Sequence, residues 1–237
     1  MIKLSKRLLA AASLVTEGNI LADVGTDHGY VPIYLLEQKK IPRAIAMDIN
    51  KGPLQRAQEH IRLYEMGDYI ETRLSDGVAA LASQEADTIL IAGMGGGLVM
   101  HILSEGAIVC HEAAELVLQP QSELERVRAF LAEEGYQILA EDMVLEDEKF
   151  YPMMRVTYTG SPKKQTEADR LGYIYGGLLL EKKHPILKEY LMREQMLYQN
   201  LYVQLKKSPS TEKIKNRMAE VEQTLQDNRQ ALQYFAG

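Results

Sequence analysis

Asp23, Asp27, His28 and Asp48 are the residues from which chemistry is most readily built. The first three share the run DVGTDHGY, Asp23 to Tyr30. A carboxylate beside an imidazole, as in Asp27-His28, can move a proton, and Gly25 and Gly29 allow backbone to come close to a ligand. A plainer reading makes Asp27 a turn carboxylate bonded to nearby amides and His28 the opening of a helix. Asp48 follows at about the distance where a dinucleotide-type fold places the acid that binds ribose hydroxyls. The glycines are spaced G-x-x-x-G with no third glycine, which departs from the dinucleotide fingerprint, and a carboxylate at Asp23 inside the turn repels phosphate.

A guest suited to this corner carries an ammonium for Asp23, met directly or through water, and a ribose for Asp48. S-adenosylmethionine carries both.

The elements that must position these residues alternate. A helix over about Ser5 to Thr16 stops at Glu17-Gly18-Asn19, and the strand Ile20 to Val24 feeds the corner. A helix to about Lys40, the strand Ala44 to Ile49, a helix from about Gly52 to Met66 and the strand Ile70 to Leu74 follow. Thr88 to Ala92 is an uninterrupted apolar run of the kind buried on both sheet faces, and it ends in a second glycine turn, Gly93-Met94-Gly95-Gly96-Gly97. A helix around Leu98 to Ser104 and a fifth strand, Glu115 to Leu118, come next. Ser122 is expected to cap a helix to Glu134, with Glu125 at the capping-box position. From Tyr136 the period changes to two runs joined at Asp147-Glu148-Lys149, a hairpin. Five parallel strands in βα units with a terminal antiparallel hairpin give an α/β chain of the class I methyltransferase, Rossmann-like type, mostly parallel with the last strand antiparallel.

Gly160 to Lys164 reads as a boundary, which sets residues 1–160 apart from a helical domain over 161–237. Two long helices, about Pro185 to Lys207 and Glu212 to Phe235, flank Ser208-Pro209-Ser210-Thr211. Ile214, Met218, Val221, Leu225, Asn228, Leu232 and Phe235 step 4, 3, 4, 3, 4, 3, a coiled-coil seam with one polar interruption. An antiparallel helical hairpin is the simplest arrangement.

Charge is segregated along the chain. Residues 1–160 carry 14 Lys and Arg against 24 Asp and Glu, while residues 161–237 carry 13 against 9. A polyanionic partner would therefore be gripped by the C-terminal part and by local basic residues such as Lys3, Lys6 and Arg7. A solvated basic face is the plainer account of the same charges. The single cysteine, Cys110, rules out an intramolecular disulfide and reads as a small buried hydrophobe. His60, His101, His111 and His184 have no metal-ligand spacing, so no metal is expected. Without a membrane-spanning run or a clear cleavage site, the expected location is the cytoplasm.

Two further turns sit at strand ends. Asp76-Gly77 would lie beside the adenine of a cofactor spread across the crevice, or form an ordinary turn. Gly93-Met94-Gly95-Gly96 stands where many amino-nitrogen methyltransferases carry an Asn/Asp-Pro-Pro-aromatic motif, and it offers close backbone approach instead.

Taken together, DVGTDHGYVP at Asp23 to Pro32, IAGMGG at Ile91 to Gly96, LVLQP at Leu116 to Pro120 and the helical tail resemble the bacterial tRNA (adenine-22 N1)-methyltransferase family, TrmK. The resemblance implies binding of S-adenosylmethionine, a C-terminal helical coiled-coil domain and methyl transfer to N1 of an adenine in tRNA. The cofactor-binding candidates are Asp23, Gly25 and Thr26, Asp48 and Ile49, Asp76 and Gly77, and Gly93, Met94 and Gly95. Asp27 and His28 become the catalytic candidates. The partner is tRNA, no membrane is involved, and a monomer is favoured. Two positions depart from the family pattern. Gln121 replaces the Asn of Q-P-N, and Met47-Asp48-Ile49-Asn50 stands for Gly-Glu-Val-Val, which keeps an acid for the ribose. A class I methyltransferase acting on another RNA position, a small molecule or a protein is the competing enzyme reading. A nucleotide-binding protein whose coiled coil recruits a partner is the competing non-enzyme reading.

Overall fold

The structure is a computed structural model that describes residues 2–164, 166 and 169–236. It divides into two compact units, Met1–Gln165 and Thr166–Gly237.

In the first unit, α1 (Lys6–Leu14) precedes β1 (Leu21–Val24), α2 (Tyr30–Glu37), β2 (Ala44–Asp48), α3 (Lys51–Leu63) and β3 (Ile70–Leu74). Then come β4 (Thr88–Met94), α4 (Gly96–Glu105), α5 (Ala107–Glu112), β5 (Glu115–Pro120), α6 (Leu124–Glu133), β6 (Tyr136–Glu146) and β7 (Lys149–Tyr158). One seven-stranded sheet has the order β3-β2-β1-β4-β5-β7-β6. The pairs among β1 to β5 are parallel, and β7 runs antiparallel to both β5 and β6. The final strand thus inserts between β5 and the earlier hairpin strand, leaving β6 at the edge.

Alternation along the buried strands fills two cores, because successive side chains in a strand face opposite sides. From β4, Ile89 and Ile91 join Leu116 and Leu118 of β5 beneath Val99 and Leu103 of α4 and Val127 and Leu131 of α6. Leu90 and Val117 face the other way, into a core with Ala11 and Ala12 of α1, Ile33 and Leu35 of α2, and Ala57 and Ile61 of α3. Covering both faces with helices is what a parallel sheet requires.

Local details differ from expectation at three places. Ser122 is not the cap of α6. Glu123 holds the N-cap with φ +55°, and the Ser122 hydroxyl instead accepts from the backbone N–H of Gly96 at 3.1 Å. The loop after β5 is thereby tied to the glycine turn after β4. Short helix α5 was not signalled by the sequence. The hairpin turn is made by Asp147 and Glu148, both at positive φ (47° and 62°), the two-residue geometry that matches strand twist.

The second unit contains a π-helical turn, Gly172–Gly176, followed by α7 (Gly177–Glu181), α8 (Pro185–Lys207) and α9 (Glu212–Gln233). Asn228 reaches the Leu191 carbonyl and Tyr202 bonds Glu222, so rising positions on α8 meet falling positions on α9 and the pair is antiparallel. Leu187 and Leu191 of α8 and Val221 and Leu225 of α9 are buried. At the polar interruption, the Asn228 amide donates to Leu191 O and to Glu194 Oε2, each at 2.9 Å, and Tyr175 also bonds Glu194 Oε2, at 2.7 Å. Sliding the helices past each other would break these bonds, so the register is fixed by a polar residue in an apolar seam.

Candidate active site

Because β1 to β5 are parallel, their carboxyl ends lie along one edge, and the order reverses between β1 and β4. Open α/β sheets bind ligands in that crevice. At its centre, the N–H groups of Gly25 and Thr26 both donate to Met47 O of β2 at 2.8 Å, folding the corner onto the neighbouring strand. Gly25 and Gly29 have φ +75° and +67°, where a side chain would be strained.

Asp23 is buried in β1, and burial pushes its carboxyl up to about 6. The buried Thr26 hydroxyl opposes this shift, and the Asp48 charge adds to it. Among the described residues no cation pairs with Asp23. A buried carboxylate without a cation among the described residues is the surrounding an ammonium group would complete. Asp48, at the end of β2, accepts from Asn50 N at 2.7 Å through Oδ1, and its other oxygen has no hydrogen bond among the described residues. Ile49 beside it is 57% exposed, open to contact.

At the end of β3, the Ser75 hydroxyl donates to Gly77 O at 2.9 Å and accepts from Ala80 N at 3.0 Å, shaping a turn in which Gly77 has φ +54°. Asp76 and Gly77 line a cleft of ≈ 460 Å³ with His101, Ile102 and Glu105. The Asp-Gly pair is therefore both a turn and a cleft wall.

Asp27 and His28 are adjacent, and each is committed to other partners. Oδ1 of Asp27 accepts from Arg56 Nη2 at 2.9 Å and from Arg56 Nε at 3.2 Å. His28 Nε2 lies 3.5 Å from that same oxygen. His28 has φ +65° in place of a helical conformation, so the helix opens two residues later, at Tyr30. Its ring stacks with Tyr30 at 4.9 Å and with His60 at 5.0 Å, and His60 Nδ1 donates to His28 O at 3.0 Å. That bond places the His60 proton on Nδ1.

Between β4 and β5 the register shifts at Gly93, a bulge with φ +81°. Its N–H leaves the ladder and donates to Gln119 Oε1 at 3.0 Å. Met94 then covers the corner, since a Cβ on Gly25 would overlap its methyl group. Gly95 and Gly96 admit the loop after β5, as a Cβ on Gly96 would overlap the Ser122 carbonyl. Packing thus accounts for Gly96, while Gly93 and Gly95 remain exposed at the crevice.

The Methyltransferase domain family matches residues 4–154. The tRNA (adenine(22)-N(1))-methyltransferase of Bacillus subtilis (strain 168) is 32% identical over 222 residues, 93% of each chain. The chain belongs to the tRNA (adenine(22)-N(1))-methyltransferase family. The solved structure of the B. subtilis m1A22 tRNA methyltransferase TrmK superposes with a TM-score of 0.83 at 28% identity, covering 98% of this chain and 100% of that one. A Streptococcus pneumoniae protein described as a candidate tRNA (m1A22) methyltransferase, solved with S-adenosyl-L-methionine, gives 0.84 at 31% identity, covering 98% and 100%.

Against this family's expected site, the carboxyl edge brings together Asp23, Gly25, Thr26, Asp48, Gly93 and Met94. Asp76 and Gly77 stand one strand further out, at β3. Sequence reasoning missed Arg56, His60 and Gln119, whose positions depend on helix packing and on a strand bulge. Gln119 carried a usable signal, as a polar residue inside a buried strand next to Pro120. Cys110 is buried, and burial pushes its thiol up to about 12, which leaves it unreactive.

Proposed function

We propose that this protein transfers the methyl group of S-adenosylmethionine to N1 of adenine 22 in tRNA. Family membership supports the reaction, and the single structural observation that supports the cofactor is the buried Asp23 at the end of β1, which no cation pairs with among the described residues. S-adenosylmethionine supplies an electrophilic methyl on a sulfonium. The protein's own part is binding and aim. Asp23, Gly25 and Thr26 hold the amino-acid end. Asp48 takes the ribose hydroxyls with Ile49 alongside, Asp76 and Gly77 flank the adenine, and Gly93, Met94 and Gly95 border the reacting carbon.

Adenine N1 is a neutral nucleophile with its lone pair in the ring plane, so transfer requires that lone pair aligned behind the methyl at near-attack distance. The ring gains the positive charge as the nitrogen–carbon bond forms and the carbon–sulfur bond breaks. In this reading Asp27 holds the exocyclic amine through Oδ2, which has no hydrogen bond among the described residues, and stabilises the developing charge. His28 and its stack would hold Asp27 in position. A base paired or stacked in folded tRNA must be turned out to reach this crevice.

No helix among the described residues is long and apolar enough to cross a membrane. In this reading the enzyme meets tRNA in the cytoplasm as a monomer. Transfer of labelled methyl to bulk tRNA, followed by mapping of the modified nucleotide, tests the proposal. Label on a different nucleotide would reassign the target, and label on protein or small molecules alone would remove tRNA as substrate.

A further inference from the structure

Arg7 of α1 is half-buried at the carboxyl edge of β4 and β5, next to the bulge. Its Nη1 would lie 3.5 Å from a Cβ on Gly93, and it makes one long hydrogen bond, 3.5 Å, to Gln119 Oε1. The guanidinium sits 5.8 Å from the centre of the Tyr151 ring. Among the described residues no carboxylate pairs with it, although residues 1–160 hold 24 Asp and Glu. A guanidinium has five donors in a fixed fork, and among the described residues this one spends a single donor, on a neutral amide. Partial burial of a cation costs free energy unless an anion compensates it. Exposed Gly93 carries no side chain to screen that place, and the other side chain near it is the neutral amide of Gln121, 3.8 Å from a Cβ at Gly93. The partner such a fork matches is an oxyanion with two accessible oxygens.

We infer that Arg7 binds a phosphodiester group of the tRNA beside the target nucleotide, fixing where that nucleotide enters the crevice. This rests on the tRNA reading above. Gln119 has two tasks in this arrangement: its carbonyl oxygen satisfies the Gly93 bulge and holds the Arg7 fork at the rim. The phosphate contact positions the nucleotide and carries no base selectivity of its own.

The test compares wild type with Arg7→Ala, Arg7→Gln and Arg7→Lys on transcribed tRNA, measuring KM and binding as salt is varied, with S-adenosylmethionine affinity and thermal midpoint for each. Removing the cation that neutralises one phosphate lowers the log–log salt slope by about 0.7 to 0.9. Arg7→Ala and Arg7→Gln are expected to show that decrease, with KM for tRNA raised about tenfold and cofactor affinity unchanged. Arg7→Lys is expected to keep the slope, because it keeps the charge. Unchanged slopes in both neutral variants would overturn the inference, and a fall in thermal midpoint and cofactor affinity with the slope intact would make Arg7 a prop for the Gly93 bulge. Wild-type protein that neither binds nor methylates tRNA would overturn the tRNA reading itself, a result visible before any variant is made.

Discussion

Arg56 Nη2 and Nε both donate to one oxygen of Asp27, at 2.9 and 3.2 Å, and the other oxygen has no partner among the described residues. The pair links α3 to the turn after β1, and it is exposed, so its contribution to stability is small. Its consequence is orientation: one carboxylate oxygen is anchored, and under the proposed function the second would meet the substrate. Asp27→Ala is therefore expected to lower kcat by about 10² or more while S-adenosylmethionine affinity stays within a few-fold. Arg56→Ala, which loosens the carboxylate without removing it, is expected to cost less. Parallel loss of cofactor affinity and turnover in Asp27→Ala would make Asp27 a scaffold of the corner.

Asp48 offers one bonded oxygen, to Asn50 N, and one that is unbonded among the described residues. Losing a hydrogen bond to a charged group costs about 1.5 to 3 kcal/mol, so Asp48→Ala should weaken S-adenosylmethionine binding by about tenfold to a hundredfold with the fold intact. Titration calorimetry on a folded variant measures this directly. Unchanged affinity would remove Asp48 from the cofactor site.

The raised carboxyl of Asp23 gives a pH dependence whose sign can be worked out. Its folded value, about 6, lies above the ordinary 3.8, chiefly through burial. Between those values the folded state binds more protons than the unfolded, so stability of the free protein declines as pH rises from about 4 to about 6 and then levels off. An ammonium ligand prefers the ionised form. Cofactor affinity should accordingly rise from pH 5 to 7, by about tenfold, with release of a proton visible as buffer-dependent heat. Asp23→Asn should bind more weakly and lose this dependence. A wild-type profile as flat as the variant's would place the ammonium elsewhere.

Gly25 answers to two constraints that can be separated. Its φ of +75° disfavours any side chain, and a Cβ would overlap the Met94 methyl. Gly25→Ala is expected to destabilise the fold by about 1 to 3 kcal/mol. Adding Met94→Ala should recover the steric share and leave the backbone share. A double variant no more stable than the single would assign the whole cost to φ. Thermal or denaturant melts of the three proteins decide it.

The strands β1, β2, β4 and β5 were legible because uninterrupted apolar runs such as TILIA report burial on both faces, and the glycine turns mark where they end. The strand-end places of Asp23 and Asp48 were legible for the same reason: each acid closes an apolar run. The partners of the site were not. Arg7 lies 112 positions from Gln119 and His60 lies 32 from His28, and their meetings are set by how α1 and α3 pack on the sheet. Ser122 looked like a cap because Ser-x-x-Glu is a local signal. A tertiary demand took its hydroxyl instead: the N–H of Gly96, in the first turn of α4, has no partner within its own helix. Of the expected seam, Val221, Leu225 and Asn228 are buried, while Phe235 lies beyond the end of α9; the use of Asn228 to bind Glu194 and Leu191 required knowing which helix faced it.

The tail supplies the last prediction, that the helical unit grips tRNA and does not build the active site. Removing everything after Lys164 deletes 11 of the 27 Lys and Arg. Lys206, Lys207, Lys213 and Lys215 are all exposed around the turn between α8 and α9, so four cations cluster at one end of the helix pair. The cut falls beyond the Lys163 N–H, which still donates to Ala132 O within the first unit. The truncated protein should therefore fold and bind S-adenosylmethionine. Its tRNA affinity should fall and its salt slope should flatten, by about 0.7 to 0.9 for each phosphate that the deleted cations had neutralised. Replacing the four lysines with Ala in the full chain should reproduce part of that change without disturbing either unit. Equal slopes and equal affinities for truncated and full-length protein would make the tail a device for dimerisation or protein recruitment, and would assign the RNA surface to the sheet unit near Lys3, Lys6 and Arg7.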